Sequence, residues 1–117
     1  YENKNRIYKE LEIKTNYIAD EIRKLIKKYK ISACVNNIGS LFTIFFTNKE
    51  LVENLDDALT SNISDYAKYF NIMLEEGIVI PPSQFEANFI SLAHSDEDIS
   101  NYLKASKKAF KFISEKA

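Results

Sequence analysis

Apolar residues recur at three- and four-residue steps along the first thirty positions: Ile7, Leu11, Ile18, Ile22, Leu25, Ile26 and Tyr29 fall on one stripe. That spacing is helical and no proline or glycine interrupts it, so residues 4–30 are expected to form a long amphipathic helix that packs on its apolar side. From Ala33 to Thr47 the pattern changes. Leu41-Phe42-Thr43-Ile44-Phe45-Phe46 is aromatic and β-branched with little polarity on either face, which suits a strand covered on both sides. Asn36-Asn37, ahead of Gly39, reads as a bend separating a first strand at Ala33–Val35 from this longer one. Residues 48–59 are acidic and only weakly periodic, and read as a short helix and loop. Helical spacing returns after Ser61-Asn62, with Ile63, Tyr66, Ala67, Phe70, Met73 and Leu74 as the stripe and Gly77 as the residue just past the end.

Two short strands, Ile78–Ile80 and Phe89–Leu92, are expected next. Ser95 then caps a last helix. Asp98, three residues on, completes a reciprocal capping pattern, and Asp96 and Glu97 suit the positive end of the helix dipole. That helix should run to about Glu115 with Ile99, Leu103, Phe110 and Ile113 inward. Strands in pairs with helices between the pairs predict an α+β fold: a mainly antiparallel sheet of three to four strands, with helices on one face.

At 117 residues, with 45% hydrophobic and 13% aromatic content, residues 1–117 make one domain with a core that needs no staples. The single cysteine, Cys34, excludes an internal disulfide and points to a reducing, cytoplasmic setting. No apolar run approaches the ~18 residues of a membrane span. The chain opens in mid-pattern on charged residues, with no signal peptide, as a piece cut from a longer polypeptide would. Net charge is −1 but unevenly placed. Residues 1–30 carry nine Lys/Arg against five Asp/Glu, residues 47–100 two against eleven, and residues 101–117 five against one. Basic ends can mark nucleic-acid binding. Here the basic residues alternate with apolar ones at helical spacing, so solvated helix faces near an acidic middle explain them better, and no nucleic-acid partner is expected.

The stretch from Gly77 to Ser95 carries the candidate chemistry. Pro81-Pro82 cannot donate backbone hydrogen bonds and holds the chain extended. Beyond it, Glu86 sits between Phe85 and Phe89 on an irregular segment, the kind of place where binding groups are presented by a scaffold. Flanking aromatics would make its ionisation costly without a cation or donor nearby. On the residues alone, a surface or loop-bonded glutamate is the commoner outcome. Ser83 and Gln84 have the groups to donate to a substrate carboxylate, although such residues more often tie down a turn. Gly39-Ser40 suits either close approach to a ligand or a plain bend between strands. His94, the one histidine, has no cysteine near it in sequence to make a metal site, and a helix-start or packing role fits it best. No metal is expected. Cys34 reads as a small buried apolar residue.

The run Met73-Leu74-Glu75-Glu76-Gly77-Ile78-Val79-Ile80-Pro81-Pro82-Ser83-Gln84-Phe85-Glu86-Ala87, with Ser91-Leu92-Ala93-His94 and Asp98-Ile99, resembles the C-terminal part of the glutamate-1-semialdehyde 2,1-aminomutase family. Gly39-Ser40-Leu41-Phe42-Thr43 resembles a second block of that family, usually Gly-Ser-Met-Phe-Thr. With Asp57-Ala58 and Tyr66 to Phe70, the likeness extends from about Val35 onward. One departure is visible: Asn88 stands where the family usually has glycine.

The resemblance implies the small C-terminal domain of a class-III, pyridoxal-phosphate-dependent aminotransferase with the aspartate-aminotransferase (fold type I) architecture. It also implies a part in converting glutamate-1-semialdehyde to 5-aminolevulinate for tetrapyrrole synthesis. The matching glutamate of the family lies at the substrate pocket, which makes Glu86 the expected substrate-site residue, with Ser83, Gln84, Gly39 and Ser40 as lesser candidates. Pyridoxal 5'-phosphate and its Schiff-base lysine belong, in the family, to a large domain absent from this sequence. No catalytic or cofactor-binding residue is therefore expected in the chain, and no cofactor is expected to bind to it alone. The partners implied are that large domain and a second copy in a homodimer. A related ω-aminotransferase and a free-standing binding module stay open as alternatives.

Overall fold

In a computed structural model, residues 2–48, 53–54, 62–84, 88–89 and 95–116 are described. They form, in order, α1 (Glu2–Tyr29), β1 (Cys34–Ile38), β2 (Leu41–Phe45), α2 (Ile63–Glu75), β3 (Asn88–Phe89) and α3 (Asp96–Lys116). The strands make one antiparallel sheet in the order β1-β2-β3, with Val35 opposite Ile44 and Phe42 opposite Asn88. The fold class is α+β, as the sequence predicts.

The alternation along β2 explains how the layers meet. Phe42, Ile44 and Phe46 are each 1% exposed and join Ile18 and Ile22 of α1, Tyr69 and Met73 of α2, and Phe110 of α3 in a single core. The opposite face is covered only in part: Phe45 and Cys34 are buried together there, while Leu41 and Ile38 are exposed. Cover on both sides, expected for the whole strand, holds at its far end alone.

Two helix ends use the same device. Past α2, Gly77 takes φ +82°; its N–H donates to Leu74 O at 2.9 Å and the Ile78 N–H to Met73 O at 2.8 Å. This pair of bonds satisfies carbonyls that the helix leaves open. Past α1, Lys30 does the same at φ 54°, with Ile31 N–H donating to Ile26 O at 3.0 Å. The start of α3 carries the expected reciprocal cap, Ser95 N–H to Asp98 Oδ2 and Asp98 N–H to Ser95 Oγ, both at 3.1 Å.

Several expectations are corrected. Asn36 and Asn37 are not a bend but part of β1, and the turn is Gly39-Ser40, with Gly39 at φ +57° as a tight two-residue hairpin requires. Asn37 is held in the strand because Arg23 donates to its Oδ1 and its Nδ2 donates to Asn16 Oδ1. Ile78–Ile80 is not a strand. The Ile78 amide is used in capping α2 and Pro81 has none, so little is left for a ladder. Of Phe89–Leu92 only Phe89 lies among the described residues, and it pairs with Leu41. The helix expected in 48–59 falls largely outside them.

The α2 stripe is also rotated from its expected position. Tyr66, Tyr69, Ile72 and Met73 are buried, while Ile63, Ala67 and Leu74 are exposed. Tyr69 can lie in the core because its hydroxyl meets Ser106 Oγ at 2.8 Å and Tyr102 Oη at 3.2 Å.

Candidate functional site

The segment that leaves α2 is fastened to the core at two points. At Pro81, whose carbonyl precedes a second proline, the Tyr66 hydroxyl donates to the carbonyl oxygen at 2.5 Å. Tyr66 is itself set by edge-to-face packing on Phe46, with ring centroids 6.2 Å apart. Three residues on, Gln84 is 3% exposed and both ends of its carboxamide are engaged. Its Oε1 accepts the Phe46 N–H at 3.0 Å, and its Nε2 donates to the Asn62 carbonyl at 3.4 Å. Asn62 in turn donates its N–H to Phe46 O at 2.5 Å and caps α2 by accepting the Asp65 N–H. Gln84, Phe46 and Asn62 thus close a ring that joins the Pro-Pro segment, the end of β2 and the start of α2. A buried polar side chain needs such partners.

Glu86 lies outside the described residues, as does His94. The nearest described residues on either side of Glu86 are both fixed: Gln84 at Phe46, and Asn88 opposite Phe42, where its Nδ2 donates to the Phe42 carbonyl at 3.4 Å. Asn88, in place of the family's usual glycine, sits in a strand, so the left-handed freedom of glycine is not used there. Ser83 is half-buried beside Gln84.

Gly39 and Ser40 do not join this group. They form the hairpin tip at the other end of β2, and the five residues of that strand separate Ser40 from Phe46, about 20 Å over six steps at the usual rise. A Cβ on Gly39 would meet nothing of this chain within 4 Å, and its φ of +57° is what the turn uses.

Beside the Gly77–Pro81 stretch opens a cleft of about 810 Å³, lined by Ile80, Ile99 and Tyr102 among others and by the paired Glu76 and Lys108. The Glu76 carboxylate holds the Lys108 ammonium above the ordinary lysine range. Burial foremost, and then the neighbouring Tyr69, push the Tyr102 hydroxyl well above the usual tyrosine range, so it stays a neutral donor. Pro81 and Asn88 reach this cleft, whereas Gln84, Ser83, Gly39 and Ser40 do not line it.

Tyr66, Asn62 and the Phe46 backbone were not candidates from the sequence. A signal for Tyr66 was present: a tyrosine on an apolar stripe needs an acceptor, and a Pro-Pro pair has carbonyls without ladder partners.

Every lysine whose side chain is described is exposed or half-exposed, whereas a Schiff-base lysine is activated by desolvation or a neighbouring cation in a pocket. Among the described residues there is also no group of three His, Cys, Asp or Glu that could hold a metal, and no helix long and apolar enough to cross a membrane.

No family model matches the chain. In structure it has the fold found in parts of transaminases. It superposes on a β-phenylalanine aminotransferase from Variovorax paradoxus with TM-score 0.75 and 21% identity, over 84% of this chain and 22% of that one. An ω-transaminase from Sphaerobacter thermophilus gives TM-score 0.74 and 14% identity, over 91% and 24%. A transaminase solved with PLP bound gives 0.72 and 19%, over 95% and 24%.

In sequence the chain is 57% identical, over 116 residues, to the glutamate-1-semialdehyde 2,1-aminomutase of Fusobacterium nucleatum, covering 99% of itself and 26% of that protein. Against the enzyme of the same name from Persephonella marina it is 45% identical over 104 residues, which is 89% of the chain and 24% of the relative. The chain thus spans about a quarter of the curated relatives it matches, and it is similar to that part of them over nearly all its own length.

Proposed function

We propose that the chain is the C-terminal small domain of a glutamate-1-semialdehyde 2,1-aminomutase and contributes one wall of its substrate site. The observation that carries this reading is the 57% identity to the Fusobacterium nucleatum aminomutase over 99% of the chain. In the intact enzyme, pyridoxal phosphate is held by residues outside these 117. This domain offers Glu86, with Ser83 as a lesser candidate, towards glutamate-1-semialdehyde, and the product is 5-aminolevulinate. Gly39 and Ser40, at the far hairpin, belong to a separate surface. The same reading makes the whole enzyme a cytoplasmic homodimer.

The test is the full-length protein given glutamate-1-semialdehyde and no separate amino donor. Formation of 5-aminolevulinate with no dependence on an added amino acid or oxo acid is expected of a mutase. A strict need for a second amino donor would replace this reading with that of an intermolecular aminotransferase.

A further inference from the structure

We infer that Arg23 and Asn16 of α1 close the outer edge of β1 against a second copy of this chain, and that the edge, once opened, pairs with the same edge of another copy. β1 is an outer strand of the sheet among the described residues. Ile38 and Leu41 flank the two-residue hairpin and exchange ladder bonds across it, and antiparallel pairs alternate between bonded and non-bonded. Val35 and Asn37 therefore fall at non-bonded positions, where the backbone N–H and C=O point away from β2. They face the outer edge.

That edge is self-complementary. Two copies of Cys34–Ile38 laid antiparallel about Asn36 set Val35 of each opposite Asn37 of the other. Outward donors then meet outward acceptors on both sides of a two-fold axis, the symmetry that closes a dimer. Ile38 and Leu41, exposed at the hairpin, give such a pair an apolar flank. An edge strand of this kind is a template for another chain unless something covers it.

Here α1 covers it. Arg23 donates from Nη2 to the Val35 carbonyl oxygen at 2.9 Å and to Asn37 Oδ1 at 2.6 Å, while its Nη1 donates to Asp20 Oδ1 at 3.0 Å. Asn37 Nδ2 donates in turn to Asn16 Oδ1 at 2.7 Å. The Val35 carbonyl, which an added strand needs, is already taken, and a charged fork lies where that strand would run. Seating the strand means breaking both bonds to β1 and desolvating the guanidinium.

The experiment measures self-association of the full-length protein by sedimentation velocity over a concentration series, with the parent's own oligomeric state as the baseline. Arg23→Ala removes both bonds to β1 and adds no apolar bulk. It is expected to add a species of twice the parent's mass and to tighten self-association by about tenfold or more. Hydrogen exchange read by mass spectrometry should show peptides spanning Cys34–Ile38 gaining protection as that species forms. Asn37→Pro, added to Arg23→Ala, removes an outward N–H without touching the ladder to β2, and should restore the parent's state. Should Arg23→Ala not fold, Asn16→Ala, which releases one end of the Asn37 carboxamide and leaves Arg23 in place, carries the comparison with a smaller increase.

A folded Arg23→Ala protein that keeps the parent's state at every concentration would overturn the inference, even with a lowered melting temperature. So would association that the proline leaves untouched, or that brings Cys34–Ile38 no added protection.

Discussion

The hydroxyl of Tyr69 stands 2.8 Å from Ser106 Oγ, in the seam where α2 meets α3, and both residues are buried from solvent. Tyr102 Oη lies 3.2 Å away on the same tyrosine, and the Tyr69 ring stacks on Phe110 with centroids 5.3 Å apart. The network lets a polar group occupy the middle of an otherwise apolar contact. Tyr69→Phe would keep the stacking but take a partner from both Ser106 and Tyr102. It is expected to cost roughly 1–2 kcal/mol in urea unfolding, the scale for losing a buried hydrogen bond. Ser106→Ala should cost about as much, and the double variant less than the sum, because both remove the same bond.

The same burial gives stability a dependence on alkaline pH. Desolvation, only partly offset by the hydrogen bonds with Ser106 and Tyr102, pushes Tyr69 from 10.0 up to about 12. The folded state thus keeps its proton to a higher pH than the unfolded chain. Its contribution is fully present below pH ~10 and is lost as pH rises from about 10 to about 12, with Tyr102 acting in the same direction. The loss from Tyr69 should be roughly 2–3 kcal/mol at about 1.4 kcal/mol per pH unit of displacement. Unfolding free energies measured from pH 8 to 12 should fall along this range, and Tyr69→Phe should flatten the fall.

The two helix caps make a matched pair with opposite residues. Gly77 and Lys30 occupy equivalent left-handed positions, at φ +82° and 54°. A Cβ at position 77 would meet nothing within 4 Å, so Gly77→Ala carries only the backbone penalty and should destabilise by about 1 kcal/mol. Lys30→Gly relieves the corresponding penalty and should stabilise by roughly 0.5–1 kcal/mol. Thermal unfolding of both variants checks the pair, and a change of the same sign in the two would contradict it.

How far the sequence could be read follows from which forces act locally. The caps at Ser95 and Gly77 were legible because each depends on a few neighbouring residues. The long α1 was legible because its stripe, from Ile7 to Tyr29, repeats over about six turns. Asn36-Asn37 misled because the strand there depends on pairing with β2 and on Arg23 and Asn16, which no local pattern links to Asn37. Ile78-Val79-Ile80 has strand composition, yet Val79 is 81% exposed and the Ile78 amide caps a helix. Tyr69 was passed over because a stripe drawn for apolar residues does not foresee that Ser106, thirty-seven positions away, satisfies a buried hydroxyl. Gln84 was singled out for its polarity. Its partners, 38 and 22 residues distant, are set only by the tertiary fold.

The exposure of the described lysines leads to an expectation about cofactor. Pyridoxal phosphate added to the 117-residue chain should give at most weak, multi-site aldimine absorbance, competed away by free lysine, since exposed amines in water have ordinary reactivity. A stoichiometric band that survives dialysis would mean that this chain holds a cofactor pocket of its own.

Glu86→Gln in the full-length enzyme bears on the proposed substrate site most directly. The substitution keeps the shape of the side chain and removes its charge, so effects on binding separate from effects on folding. The proposed substrate carries an ammonium and a carboxylate. A carboxylate at the wall of the site attracts the first and disfavours an additional acid group, as in glutamate or 2-oxoglutarate. The variant should therefore lose about tenfold or more in kcat/KM for glutamate-1-semialdehyde, on the order of 1.4 kcal/mol, with little change in melting temperature. Binding of the dicarboxylates should weaken less, or improve. Steady-state kinetics with the semialdehyde, alongside titrations with glutamate and 2-oxoglutarate, read both effects. Wild-type kinetics with an unchanged preference between these ligands would return Glu86 to the role of an ordinary loop residue.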